Sequence, residues 1–202
     1  VTFQGLYQSS TWNNEFGYDG DDLGATYSSS STTFKLWAPV SQEITVNLYK
    51  FGHPTEVGTA EYPGDDTPYA TYPMEKGEKG VWSHTESCGH GTYYTYSVTT
   101  SVGTQEAVDP YAKAAGLNGN RGMVVDLSLT NPQGWGKEFS TGIKSYSEAT
   151  IWEVHVRDFS NKIASSKYKG KYLAFTERGL VNSNGVSVGV DYLVNLGITH
   201  VH

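Results

Sequence analysis

The chain has a single cysteine, Cys88, so no internal disulfide can form and the small disulfide-stapled scaffolds are excluded. It also has no apolar run near the roughly 20 residues of a membrane span, and residues 1–10 lack the charged start and apolar stretch of a secretory leader. Basic residues are few: 14 Lys and Arg stand against 21 Asp and Glu, for a net charge of -7, and they are dispersed. No phosphate-binding face is available, so no nucleic-acid partner is expected. Metal-ligand spacing is lacking too. Asp19, Asp21 and Asp22 come without the glycine and terminal glutamate of a calcium loop and read as a turn. Among six histidines only His200 and His202 alternate onto one strand face, and no metal site is assigned to them. A cytoplasmic and a secreted protein both fit this composition.

Aromatic residues and glycines are plentiful, with 15 Tyr, 7 Phe, 5 Trp and 23 Gly, which describes a turn-rich globular chain with aromatic side chains to spare for its surface. From about residue 32 to 130, short β-type runs alternate with turn clusters at the spacing of a β-sandwich. In Thr33-Phe34-Lys35-Leu36-Trp37, Phe34 and Leu36 alternate with Lys35 and Trp37. In Glu43-Ile44-Thr45-Val46-Asn47-Leu48-Tyr49, Ile44, Val46 and Leu48 share one face. Further strands are expected at residues 80–84, 92–98 and 123–127, with a loop at 62–68.

The character changes at Asn131-Pro132-Gln133-Gly134-Trp135-Gly136, where a proline and two glycines mark a joint. The expected organisation is a lead-in segment over 1–31, the sandwich over 32–130, a linker over 131–148 and a different architecture over 149–202. In that last part, residues 149–156 read as a strand buried on both faces. Residues 188–196 read as an amphipathic helix with Val190, Leu193 and Val194 placed for packing and Gly197 as its stop. Residues 198–202 begin another strand. Strand, helix and strand make one βαβ step.

Several runs then go beyond periodicity. Tyr18-Asp19-Gly20-Asp21-Asp22-Leu23-Gly24-Ala25-Thr26-Tyr27, followed by Thr33-Phe34-Lys35-Leu36-Trp37-Ala38-Pro39, resembles the start of the immunoglobulin-like, glycogen-binding-type module of type I pullulanases in the α-amylase superfamily. Val108-Asp109-Pro110-Tyr111-Ala112-Lys113-Ala114 and Asn118-Gly119-Asn120-Arg121-Gly122-Met123-Val124-Val125-Asp126-Leu127 resemble the stretch leading from that module. Ile151-Trp152-Glu153-Val154-His155-Val156-Arg157-Asp158-Phe159 resembles the superfamily's first barrel strand, and Gly170-Lys171-Tyr172-Leu173-Ala174-Phe175-Thr176-Glu177 is similar to the segment after it. The matches run in order over residues 18–202.

The resemblance implies a mostly β chain: an immunoglobulin-like β-sandwich followed by the first βαβ unit of a truncated (β/α)8 barrel. A whole barrel needs about 250 residues and does not fit here. It further implies the N-terminal portion of a glycoside hydrolase that cleaves α-1,6-glucosidic branch linkages in pullulan or branched starch with retention of configuration. Retention needs two carboxyl groups about 5 Å apart. On the resemblance both lie beyond His202, so no catalytic residue is assigned here and the segment alone is expected to be inactive. Glu153 and Asp158 are not offered as substitutes, and Arg157 with Asp158 reads as a satisfied structural pair at a strand end. No cofactor is implied for these residues, which leaves calcium open elsewhere in a complete enzyme. The expected partners are α-glucans (pullulan, amylopectin and glycogen-derived dextrins) and the remainder of the same enzyme, packed on residues 149–202.

Glycogen-binding members of the module class usually carry tryptophans at places that here read Tyr49-Lys50-Phe51-Gly52 and Val102-Gly103-Thr104-Gln105, so carbohydrate-binding residues are left unassigned. Trp82 is expected in the sandwich core and Trp37 over the joint with the barrel. A glucan branching enzyme shares the module and the barrel, and a non-catalytic glucan-binding or interaction module is the reading from another class. The 170–177 run favours the pullulanase, and a βαβ unit argues against a stand-alone module.

Overall fold

A computed structural model describes residues 3–137 and 142–202, with side chains from residue 5 onward. Residues 138–141 of the expected linker and the first two of the expected lead-in lie outside the described residues. The chain divides into two compact units, residues 1–131 and 132–202.

The first unit opens with two short helices, α1 (Phe3–Tyr7) and α2 (Ser10–Phe16). Ser9 caps α2, its Oγ accepting from the Trp12 N–H at 3.2 Å. Nine strands follow: β1 (Gly24–Tyr27), β2 (Thr32–Trp37), β3 (Glu43–Tyr49), β4 (Ala70–Pro73), β5 (Glu75–Lys76), β6 (Val81–Glu86), β7 (Tyr93–Thr100), β8 (Gly103–Ala107) and β9 (Gly122–Met123). They form two antiparallel sheets, one in the order β1-β2-β6-β5 and the other β4-β3-β7-β8, with β9 pairing on β7. The chain passes from the second sheet to the first between β4 and β5 at Met74, which is buried and donates its N–H to the Ile44 carbonyl at 2.8 Å.

Alternation in β2 and β3 places the core where the sequence puts it. Phe34, Leu36, Ile44, Val46 and Leu48 are buried together with Met74, Trp82, Tyr94, Tyr96 and Val124. Register explains the partnership, because Leu36 stands opposite Trp82 across one sheet while Val46 and Leu48 stand opposite Tyr96 and Tyr94 in the other. The Trp82 indole N–H donates to the Ala38 carbonyl at 3.0 Å, so the ring packs in the core with its polar atom satisfied.

Two long tyrosines reach through this core to a carboxylate. The Tyr94 hydroxyl donates to Asp109 Oδ2 at 2.7 Å, the Tyr96 hydroxyl reaches the same oxygen at 3.4 Å, and the Tyr111 N–H donates to Asp109 Oδ1 at 2.8 Å. Burial raises the Asp109 carboxyl above its ordinary range, against the lowering effect of these donors.

Several strand assignments change. Residues 123–127 supply only the end of β9 and then a 3-10 turn, Leu127–Thr130, although Val124 is fully buried. β1, β4 and β8 were not read from the sequence, being short or, in β8, exposed throughout. Trp37 is covered by the lead-in: its indole N–H is shared between the carbonyls of Phe16 at 2.8 Å and Lys79 at 3.0 Å. That donor is satisfied within the first unit, and the ring keeps part of its surface accessible.

The second unit carries β10 (Ile151–Trp152), α3 (Val156–Ser160), α4 (Val190–Asn195) and β11 (His200–Val201). β10 and β11 pair in parallel, Ile151 opposite His200 and Trp152 opposite Val201. The long buried strand expected over 149–156 is therefore two residues, and Ile151 is 65% exposed. In a two-stranded sheet each strand has one neighbour, which leaves one edge of each unpaired among the described residues of this unit. On α4, Leu193 is buried and Val194 is 55% exposed within this unit. Gly197, at φ +74°, ends the helix turn as the sequence indicates. Arg157 and Asp158 sit on α3 and not at a strand end; the Asp158 side chain is 80% exposed, with His155 at 4.0 Å.

Burial raises the phenols of Tyr94 and Tyr96, with the Asp109 charge adding to it, and burial followed by the Glu106 hydrogen bond pushes Tyr49 from 10.0 up to about 12. A phenol raised in the folded state contributes stability that is complete below the unfolded value near 10 and is lost as pH rises above it. Tyrosinate absorbance should therefore show the exposed tyrosines ionising first near pH 10, with a later step that coincides with loss of near-ultraviolet dichroism. A single transition completed in the folded protein would show that the three phenols are not held in this way.

Candidate functional site

The outer face of the second sheet is where an aromatic recess forms. Asn47, Tyr49 and Thr95 point away from the core yet are buried: Asn47 is held by neighbouring strands, Thr95 donates to the Glu106 carboxylate, and Tyr49 donates to the same carboxylate at 2.7 Å beneath the Arg121 guanidinium. Asn47 fixes its amide among Ser97 Oγ at 2.8 Å, Thr95 Oγ1 at 3.4 Å and the Thr71 hydroxyl at 3.1 Å.

Arg121 holds down the segment of residues 50–66. The residue is only 5% exposed. Its guanidinium lies 3.5 Å from the centre of the Tyr49 ring and donates to the Phe51 carbonyl at 2.7 Å, the Asp65 carbonyl at 2.6 Å and the Asp65 carboxylate. The same carboxylate accepts from the Lys50 N–H at 3.0 Å, so both ends of the loop are tied to one cation. Beneath the loop the backbone crosses the segment before β9 at Gly52 and Gly116. A Cβ on Gly116 would lie 2.2 Å from the Gly52 carbonyl oxygen, so only paired glycines allow the crossing.

Above that floor is a groove of about 760 Å³ whose lining includes Phe51, Tyr62, Tyr93, Leu117, Lys50, Thr59 and Glu61. Tyr62 is 63% exposed. Its loop is set by the Tyr62 N–H donating to Thr59 Oγ1 at 3.0 Å and the Thr59 N–H donating to the Tyr62 carbonyl at 2.8 Å. His53 Nε2 meets the same carbonyl at 3.1 Å. Aromatic faces rimmed by an amine, a hydroxyl and a carboxylate suit a flat, polyhydroxylated ring: the faces take its apolar side and the rim takes its hydroxyls. Glu61 is the groove's one carboxyl among the described residues, whereas retaining glycoside hydrolysis needs two.

The groove occupies one of the places inspected for tryptophan, at Tyr49-Lys50-Phe51-Gly52. Phe51 was in view there; Tyr62 and Tyr93 come from a loop and a strand remote in sequence and were missed. The other place, Val102-Gly103-Thr104-Gln105, forms an exposed turn into β8 and lines no part of the groove. The aspartates at 19–22 form a local arrangement in which Asp22 pairs with Lys35 and accepts from Tyr18, and Lys35 first, then Tyr18, holds its carboxyl below the usual range. His200 is exposed and meets Thr199 Oγ1 at 2.8 Å. Among the described residues no group of three or more His, Cys, Asp or Glu converges to hold a metal ion, and no helix is long and apolar enough to cross a membrane.

Arg121→Ala removes four hydrogen bonds and the stacked cation while leaving Asp65 unpaired. Denaturant unfolding should show a loss of about 3 kcal/mol, and the amides of residues 50–66 should exchange faster. Unchanged exchange there would mean that Arg121 does not anchor the loop.

Comparison with known proteins gives the family. Residues 22–112 match carbohydrate-binding module 48, the isoamylase N-terminal domain. The pullulanase of Bacillus subtilis (strain 168) is 36% identical over 201 residues, covering 97% of this chain and 25% of that protein. Pullulanase 1, chloroplastic, of Arabidopsis thaliana is 34% identical, covering 93% of this chain and 19% of that protein. Among solved structures, the pullulanase of Paenibacillus barengoltzii in complex with maltohexaose and α-cyclodextrin superposes with a TM-score of 0.81 at 39% identity, over 96% of this chain and 28% of that one. The pullulanase of Bacillus acidopullulyticus gives 0.76 at 39% identity, over 93% and 22%. The chain spans about a quarter or less of the length of these relatives. With a carbohydrate-binding module 48 at its centre and pullulanase sequence and fold along nearly all of its length, the chain belongs to the pullulanase family.

Proposed function

We propose that the first unit binds α-glucan in the groove of Phe51, Tyr62 and Tyr93, as the accessory module of a pullulanase-type glycoside hydrolase. The observation that carries this reading is an exposed aromatic groove, held rigid by Arg121, in a module whose family is named for carbohydrate binding. The Paenibacillus barengoltzii relative was crystallised with maltohexaose and α-cyclodextrin, which supports the ligand class.

In this reading the complete enzyme cleaves α-1,6-glucosidic linkages with retention, and the carboxylates that do so lie outside these 202 residues. Residues 149–202 then supply the opening strand, helix and strand of a (β/α)8 barrel. Two features support that placement: the parallel pairing of β10 with β11, and the exposed apolar side chains Ile151, Val194, Leu196 and Val201, which the rest of such a barrel would cover.

Two outcomes are expected. Titration calorimetry with maltohexaose should give affinities about tenfold weaker for Tyr62→Ala and Phe51→Ala, a loss of about 1.4 kcal/mol, without a change in melting of the Tyr62 variant. Equal affinity in both variants would remove the groove from the reading. The purified 202-residue chain should release no reducing sugar from pullulan, and activity that co-purifies with it would place catalysis within these residues.

A further inference from the structure

The lead-in helices build a second recess that shares no residue with the first. This groove, of about 700 Å³, is lined among others by Tyr7, Trp12, Asn13, Asp19, Trp37 and Tyr111. Most of it lies ahead of residue 22, where the match to the carbohydrate-binding module begins.

Its aromatic rings are fixed before any ligand arrives. The Trp37 indole N–H is already committed to the Phe16 and Lys79 carbonyls, which restrains its ring. Trp12 is wedged between Tyr7, edge-on at 4.9 Å, and Phe16 at 4.7 Å. The Lys79 ammonium donates to the Asn14 carbonyl and fastens α2 to the loop before β6. Tyr7 and Tyr111 remain 53% and 46% exposed. Rings held in place by other contacts, with area still open, lose little freedom on binding.

Charge narrows the occupant. Asp19 is the one charged side chain lining the groove among the described residues, and no Lys or Arg joins it. Phosphates and other anions meet only repulsion there, whereas a neutral polyol finds aromatic faces, the Asn13 amide and a carboxylate acceptor for its hydroxyls.

We infer that this groove is a second carbohydrate site, taking a hexopyranose ring of a neutral oligosaccharide by stacking on Trp12 and Trp37 with hydroxyls directed to Asn13 and Asp19. The choice of an α-glucan as its sugar rests on the function proposed above; the existence of a separate site does not.

The first groove contains no tryptophan among its described lining residues and the second contains two, so the indole N–H resonances of Trp12 and Trp37 report the second alone. The isotope-labelled 202-residue chain is titrated with maltohexaose. Both resonances should move along a saturable curve, and should do so equally in Tyr62→Ala, where binding at the first groove is impaired. Tyr7→Ala and Asp19→Ala, both at exposed positions, should each shift the midpoint of the Trp37 curve by about three- to tenfold and leave shifts at Tyr62 and Tyr93 unchanged. Indole resonances that stay still while Tyr62 and Tyr93 respond would overturn the second site and leave the first intact. Indole shifts that vanish in Tyr62→Ala would show one site in place of two. No response anywhere in the chain would overturn the second site as a glucan site together with the first.

Discussion

One buried cation organises the functional face of the first unit. Arg121 comes from the segment leading into β9, yet its partners are the carbonyls and carboxylate of residues 51–65 and the ring of Tyr49. The arrangement ties to the segment before β9 a loop that is also braced by its own hydrogen bonds, among them Thr55 with Asp66 and Thr59 with Tyr62. It also explains why Tyr49, on the outer side of β3, is buried, since the Arg121 guanidinium stacks on its ring. A guanidinium suits the position because its planar fork can serve two carbonyls and a carboxylate while its face stacks on an aromatic ring, which an ammonium cannot do.

A second polar knot, Asp109 with Tyr94 and Tyr96, plays a comparable part inside the sandwich. It anchors the stretch after β8 across the end of the core and lets two tyrosines fill apolar volume without leaving a hydroxyl unpaired. Both knots fall in runs that first marked the family resemblance, Val108-Asp109-Pro110-Tyr111 and Asn120-Arg121-Gly122. Those runs are therefore legible as architecture: they tie connecting segments to the sheets.

Sequence reading reached the inner half of the sandwich and little of the outer half. Period-two alternation gave Phe34, Leu36, Ile44, Val46 and Leu48 because one covered face is enough to produce it. Asn47, Tyr49 and Thr95 could not be read as buried, since their partners are remote in sequence: Ser97 and Thr71 for Asn47, Glu106 for Thr95, and Glu106 with Arg121 for Tyr49. The groove was half-visible for the same reason: Phe51 follows its strand directly, whereas Tyr62 and Tyr93 join it only through the fold. Trp37 is legible as outward-facing from the alternation of its strand, but its hydrogen bond to the Phe16 carbonyl is not, since the helices of residues 3–16 carry no strong periodic signal. In the second unit the apolar run 149–156 reads as buried on both faces, but residues 132–202 alone offer too few neighbours to bury it.

The account stands or falls on where a glucan lies on the first unit. A crystal of the 202-residue chain soaked with maltohexaose tests this most directly. The account predicts glucose rings stacked on Phe51, Tyr62 and Tyr93, with hydroxyls at Lys50 and Glu61 and the Arg121 contacts unchanged beneath them. Glucose rings seated elsewhere with that groove empty, at sugar concentrations that saturate the chain in solution, would contradict it.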